Sequence, residues 1–220
     1  MCSVFKALAV SHLLRDYCLL DQVVHYTSDD MVEYSPITEQ HLATGMSYRA
    51  LCAAALQYSD DTAANLILRA IGGPRGVTRF CRSVGDPATR LDRYEPNVNT
   101  AIPGDPRDTT TPDAIARTFG RLLLGRALST PDRSRLAGWM KGNTTSDEQF
   151  REGLPGSWTI ADKTGSGDYG AGNDVGVAWT ADGTALVLAV MTSKPAQDAD
   201  ADYPLIASTA AVLAGALVPR

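Results

Sequence analysis

Residues 158–192, WTIADKTGSGDYGAGNDVGVAWTADGTALVLAVMT, decide the fold class. They contain three short apolar runs, at 158–163, 174–180 and 185–192, with turn formers between them. Runs of this length and composition read as β-strands. Asp182-Gly183 reads as the hairpin turn joining the last two. Upstream the pattern is helical. Phe5, Leu8, Ala9, His12 and Leu13 recur at helical spacing over 3–16, and His12 on that face is expected to be packed rather than catalytic. Ser47 caps a helix over 48–56, and Thr62 caps one over 63–71 that Gly72-Gly73 stops. Pro74 opens a helix that Gly85 ends, and Thr111-Pro112 and Thr130-Pro131 each open one of about a dozen residues. An Ala- and Leu-rich helix near 202–217 closes the chain. Helices followed by strands and a helix give an α+β fold: a helical domain plus an antiparallel sheet with a flanking C-terminal helix. The expected division is 1–143, all-helical, and 144–220, a sheet domain.

Between the helices, residues 86–110 show no apolar period and are rich in proline. A structureless stretch of that length in a compact domain is usually functional. Arg90 to Asn99, RLDRYEPNVN, is dense in charge and hydrogen-bonding groups. It is expected to form an Ω-like loop over about 90–108, held by its own polar contacts.

The chain has 220 residues, enough to bury a substantial core, with 44% hydrophobic and 20% charged residues and a net charge of −5. Without a basic block, nucleic acid is not an expected partner. No apolar run reaches the length of a membrane span. Cys2, Cys18, Cys52 and Cys81 are widely spaced, and only His12, His25 and His41 could join them. A zinc site is therefore not expected, and buried free thiols are the default.

Three short motifs carry the chemistry. Ser3-Val4-Phe5-Lys6 places a hydroxyl and an amine on one helix face, about one turn apart. At the start of a helix, free N–H groups can stabilise a developing oxyanion, and Lys6 is close enough to take the serine proton. Ser59-Asp60-Asp61 sits where one helix ends and the next begins. Lys163-Thr164-Gly165 ends a strand and is followed by Ser166-Gly167. Each is common alone, but the ordered set in these contexts is not.

The set resembles the class A serine β-lactamases and the related penicillin-binding proteins. Glu33-Tyr34-Ser35-Pro36, Asp61-Thr62-Ala63-Ala64-Asn65, Asp105-Pro106-Arg107-Asp108 and Asn143-Thr144-Thr145 extend the resemblance over nearly the whole chain. It implies that Ser3 is the acylated nucleophile and Lys6 a base or proton relay. Ser59 passes the proton to the leaving nitrogen, and Lys163 sets the charge beside it. Tyr34, Asp61, Thr164, Gly165 and Ser166 are implied at the substrate, with the N–H groups of Ser3 and Ser166 as oxyanion hole. Glu95, with Asn99, is implied to activate the hydrolytic water, the step that separates a hydrolase from a penicillin-binding protein. Arg93 and Asp108 are implied to close the Ω loop. The resemblance further implies a β-lactam as small-molecule partner, no cofactor or metal, a monomer, and a periplasmic or secreted location.

Three departures stand out. Asp61 occupies a place where the family usually has asparagine, so it can accept but not donate while ionised. No arginine lies in 164–192, and Arg151 is the nearest upstream candidate for the substrate carboxylate. The family's first helix and two sheet strands have no counterpart before Ser3. On that account the chain reads as N-terminally truncated, with an incomplete, three-stranded sheet. The alternatives are a penicillin-binding transpeptidase or β-lactam sensor, and an inactive fragment.

Overall fold

The computed structural model of the chain describes residues 2–15 and 19–217, so Cys18 lies outside the described residues. Helix α1, Phe5–Leu13, is apolar on almost every side and buried nearly throughout. Such a helix belongs inside a core rather than on its surface. A 3-10 turn, Cys2–Val4, leads into it. Ser3 thus sits in a tighter turn than the expected α-helical start, still at the helix's N-terminal end.

Around α1 pack α2 (Tyr48–Gln57), α3 (Asp61–Ala70), α4 (Pro74–Ser83) and α6 (Thr130–Lys141), with α5 (Pro112–Leu123) against the sheet. Ser47 and Thr111 cap α2 and α5 as the sequence implies, each accepting a backbone N–H. For α3 the cap is Asp60 rather than Thr62. Asp60 Oδ1 accepts from Ala63 N at 2.8 Å, while Oδ2 takes Ile37 N and Thr38 N, both at 2.9 Å. One carboxylate thereby satisfies a helix end and a distant loop, which a hydroxyl could not do. Thr62 is used elsewhere, bonding Val32 N and Ser35. The cap of α6 is Ser129, one residue before the expected Thr130. Val23–Val24 (β1) and Met46–Ser47 (β2) pair antiparallel, a ribbon too short to leave a periodic signal in residues 19–45.

The main sheet runs β3 (Thr159–Gly167), β4 (Ala171–Trp179), β5 (Ala185–Thr192), antiparallel throughout in sequence order. β3 does not end at Lys163. It continues through Thr164↔Asp174, Gly165↔Asn173 and Ser166↔Gly172, so the Lys-Thr-Gly segment is mid-strand. Side chains alternate between two cores. Ala161, Val175 and Val177 face the helices in the larger one. Ile160, Ala178, Leu188 and Val190 face Ile206, Ala210 and Ala214 of α8 (Tyr203–Leu217) in the smaller. A short helix that the sequence pattern did not reveal, α7 (Phe150–Gly153), packs against α8 and supplies Phe150 to the smaller core.

Candidate active site

Four segments converge where α1 begins. Ser3 comes from the turn before α1, Ser59 and Asp61 from the α2–α3 junction, Glu95 and Asn99 from the loop, and Lys163 to Ser166 from β3. Ser3, Tyr34, Ser59, Asp61, Asn99 and the residues from Thr164 to Ser166 line one cavity of about 360 Å³. Lys6, Glu95 and Lys163 lie behind its wall, each at most 3% exposed.

The α2–α3 junction is tight because Ser59 adopts a left-handed backbone, φ 57°. That turns its hydroxyl between two lysines: Lys6 Nζ donates to Ser59 Oγ at 3.1 Å and Lys163 Nζ at 3.0 Å. Lys6 Nζ also donates to the Ser59 carbonyl at 2.6 Å and to Asp61 Oδ1 at 2.5 Å, and lies 3.3 Å from Glu95 Oε1. Ser3 Oγ donates to Glu95 Oε1 at 3.1 Å, and Asn99 Nδ2 to Glu95 Oε2 at 2.6 Å. Asn99 Oδ1 is buried without a partner on the same wall.

Glycine at 165 has a steric reason. A Cβ there would come within 2.9 Å of Ser3 N. The bare strand lies against the turn that carries Ser3.

The loop is fastened from both ends. Asp108 Oδ2 accepts from Arg93 Nε at 2.5 Å, and Oδ1 accepts from the N–H groups of Asp92 and Arg93 at 2.7 and 3.0 Å. Asn65 clamps Glu95 by its backbone: Glu95 N donates to Asn65 Oδ1 and Asn65 Nδ2 to the Glu95 carbonyl, both at 3.0 Å.

The chain matches a known family. The model of the β-lactamase enzyme family fits residues 2–217. The chain belongs to that family. The β-lactamase of Streptomyces lavendulae is 53% identical over 99% of this chain and 74% of its own length. β-Lactamase AST-1 of Nocardia asteroides is 48% identical, over 99% and 71%. Among solved structures, a β-lactamase from Desulfarculus baarsii superposes with a TM-score of 0.97 at 46% identity, covering 100% of this chain and 84% of that one. The enzyme of Streptomyces albus G gives 0.96 at 50% identity, over 98% and 84%.

Not every sequence expectation about this β-lactamase site survives. Arg151 does not line the cavity. Its guanidinium bonds Ser146 Oγ at 2.7 Å, the Lys141 carbonyl at 3.2 Å and buried Asp162 at 3.2 Å. Asp162 lies beside Asp174, whose carboxyl is raised well above the usual range by burial and by Asp162 itself. Arg151 is held there by charge, so it is not free to meet a substrate. His12 stacks on Phe80, ring centroids 5.4 Å apart, as a packed side chain. Cys2, Cys52 and Cys81 are buried free thiols. Among the described residues, no cluster of three or more His, Cys, Asp and Glu could hold a metal ion.

Sequence reasoning missed three lining residues, Thr145, Gln149 and Tyr203, and the clamp Asn65. Thr145 and Asn65 fall inside the Asn143-Thr144-Thr145 and Asp61-Thr62-Ala63-Ala64-Asn65 strings, whereas Gln149 and Tyr203 carry no local signal.

The two lysines also repel one another. Burial first, and then the charge of Lys6, draw the Lys163 ammonium down to about 7. As pH rises through that value, Lys163 loses its charge beside Ser59. Initial rates measured from pH 5.5 to 9 should therefore show kcat/KM falling with an alkaline limb near pH 7. Lys163→Arg, which keeps its charge, should move that limb to higher pH.

Proposed function

We propose that the chain hydrolyses the amide of a β-lactam ring through an ester on Ser3, with Glu95 as the base that receives the proton. One observation carries this reading: the nucleophile's hydroxyl points at a buried carboxylate whose second oxygen is held by Asn99. Ser3 Oγ bonds to the ring carbonyl carbon as its proton passes to Glu95. The oxyanion is received by the N–H groups of Ser3 and Ser166. When the C–N bond breaks, the proton passes from Glu95 by way of Lys6 Nζ and Ser59 Oγ to the departing nitrogen, which returns Glu95 to its carboxylate. A water that donates to Glu95 and to the open acceptor of Asn99 then attacks the ester carbon; Glu95 takes its proton and returns it to Ser3 Oγ as the acyl–oxygen bond breaks. Lys6 Nζ joins these groups, 3.3 Å from Glu95 Oε1, 3.1 Å from Ser59 Oγ and 2.5 Å from Asp61 Oδ1. The enzyme acts as a monomer on a small molecule, in the periplasm or the medium, and so confers antibiotic resistance.

A chromogenic cephalosporin tests this reading when colour release is paired with intact-protein mass. Sustained turnover without a lasting adduct supports it. A stable adduct on Ser3 would indicate a penicillin-binding protein or sensor, and neither signal an inactive chain.

Asp61 should hold acylation back. Burial first, and then the charge of Glu95, raise its carboxyl to about 6 against the opposing pull of Lys6. Above that pH it is ionised, binds Lys6 and cannot donate to a substrate carbonyl. Asp61→Asn restores a donor and relaxes Lys6. Acylation of a penicillin, followed by stopped flow at pH 7.5, should rise about five- to tenfold, roughly 1 kcal/mol of barrier. An unchanged rate would remove Asp61 from this role.

A further inference from the structure

Beside the main cavity lies a second hollow of about 250 Å³. The two share Thr145, Gln149 and Tyr203, so they adjoin one another, and Thr164 of β3 lies on the wall of the first. The second hollow is closed by Thr144, Asp147 and Glu148.

Its chemistry is one-sided. Gln149 is only 3% exposed, and its side-chain oxygen is buried with no hydrogen-bond partner. Thr144 spends its hydroxyl hydrogen on the Gln57 carbonyl at 2.8 Å, and Thr145 bonds Asn143 Oδ1 at 2.7 Å and the Thr164 hydroxyl at 2.5 Å. Thr145 therefore accepts from Thr164, which leaves it one lone pair, and Thr144 keeps its lone pairs as acceptors. Asp147 and Glu148 add two exposed carboxylates, and Tyr203 adds an aromatic wall. Among the described residues that line this hollow, none is a lysine or arginine. The neighbouring cations are committed elsewhere, Arg151 to Asp162 and Lys141 over the Trp179 ring at 5.0 Å. A wall of acceptors, carboxylates and one aromatic face is complementary to a cation or to a group rich in N–H donors.

We propose that this hollow is a subsite for a cationic substituent on the fused ring of the substrate, with the Gln149 carbonyl as its buried acceptor and Asp147 and Glu148 as its charge. The proposal rests on the β-lactam hydrolase reading and adds to it that Thr164 and Ser166, which line the main cavity, hold the ring carboxylate and so direct the ring substituent past Thr145. Gln149 and the two carboxylates then set specificity by lowering KM for cationic substrates. They take no part in bond breaking.

The test uses two cephalosporins that differ only at the end of the ring substituent, trimethylammonium in one and the isosteric tert-butyl group in the other. Ring opening by the unaltered enzyme should favour the cationic compound by about fivefold in kcat/KM, chiefly through KM. Exposed carboxylates act in high dielectric, so the preference should shrink in 0.5 M salt. The Asp147→Asn/Glu148→Gln double variant, altered only at exposed positions, should bring the ratio close to one. In the otherwise unaltered enzyme Gln149→Met, which removes only a carbonyl dipole, should lower the ratio by a smaller, salt-insensitive part. Equal ratios in the unaltered enzyme and the double variant would overturn the subsite. Failure to open either compound would instead overturn the functional reading beneath it, so the two failures are distinct.

Discussion

Glu95→Gln should turn the enzyme into a protein that is acylated once and then stalls. Glutamine keeps the size and the bond to Asn99, but its amide cannot take a proton from water. General-base assistance is commonly worth 10²–10⁴-fold. Deacylation should therefore slow by about a thousandfold, and intact mass should show the acyl adduct persisting for minutes or longer. The same substitution probes the first half-reaction. Ser3 donates to Glu95 at 3.1 Å, so acylation should also slow, by about ten- to a hundredfold. A variant that deacylates at the rate of the unaltered enzyme would sink the role given to Glu95. One that loses deacylation but acylates at full speed would return the nucleophile's proton to Lys6. The Asn65 clamp holds the loop backbone through bonds that the substitution does not touch, so a change in loop position does not account for either result.

The contrast between what was legible in the sequence and what was not follows from how each residue is held. Ser3, Lys6, Ser59 and Lys163 belong to short strings whose spacing has a local geometric meaning. The strings could be read before any contact was known. The end of β3 was misread because glycine lowers strand propensity. Those glycines are there for a tertiary reason: a Cβ at Gly165 would press on Ser3 N, and one at Gly167 would lie 2.2 Å from the Asn99 carbonyl. The cap of α3 was assigned to Thr62 because threonine and aspartate are both good caps. Only the distant Ile37 and Thr38 N–H groups favour Asp60. Arg151 was plausible for the substrate carboxylate by charge alone, and buried Asp162 decides otherwise. Asn65 acts on a residue thirty positions away, and Gln149 and Tyr203 meet only because α7 and α8 pack together. Chemistry carried by neighbours in sequence was visible, and chemistry assembled by packing was not.

That distinction bears on the loop itself, because its fastening can be cut without touching the other catalytic segments. Asp108→Ala should release it. The carboxylate is 3% exposed and accepts from one guanidinium and two backbone N–H groups. Removing it leaves Arg93 half-paired, bonded to Thr100 alone among its side-chain contacts, and leaves two amides without an acceptor. Breaking one side of such a pair costs about 3–5 kcal/mol, against a folding free energy of roughly 5–15 kcal/mol. If the whole domain took that cost, Tm would fall by about 6–20 °C. The loop can instead open locally, because it gives the main core only Leu91 and Val98, while the helices and the sheet supply the rest. Deacylation should then suffer more than stability. Ser3, Lys6, Ser59 and Lys163 are held by α1, the α2–α3 junction and β3, so adduct should still form, while turnover drops about a hundredfold or more. Asp108→Asn keeps an acceptor for the two amides and loses only the charge on Arg93, so it should fall between the two. Mass spectrometry of the adduct beside a thermal melt separates the outcomes: a melt shifted by 20 °C with normal turnover in the surviving fraction would make Asp108 a structural residue only, and an accumulating adduct with a modest shift would make it the latch that keeps Glu95 in place.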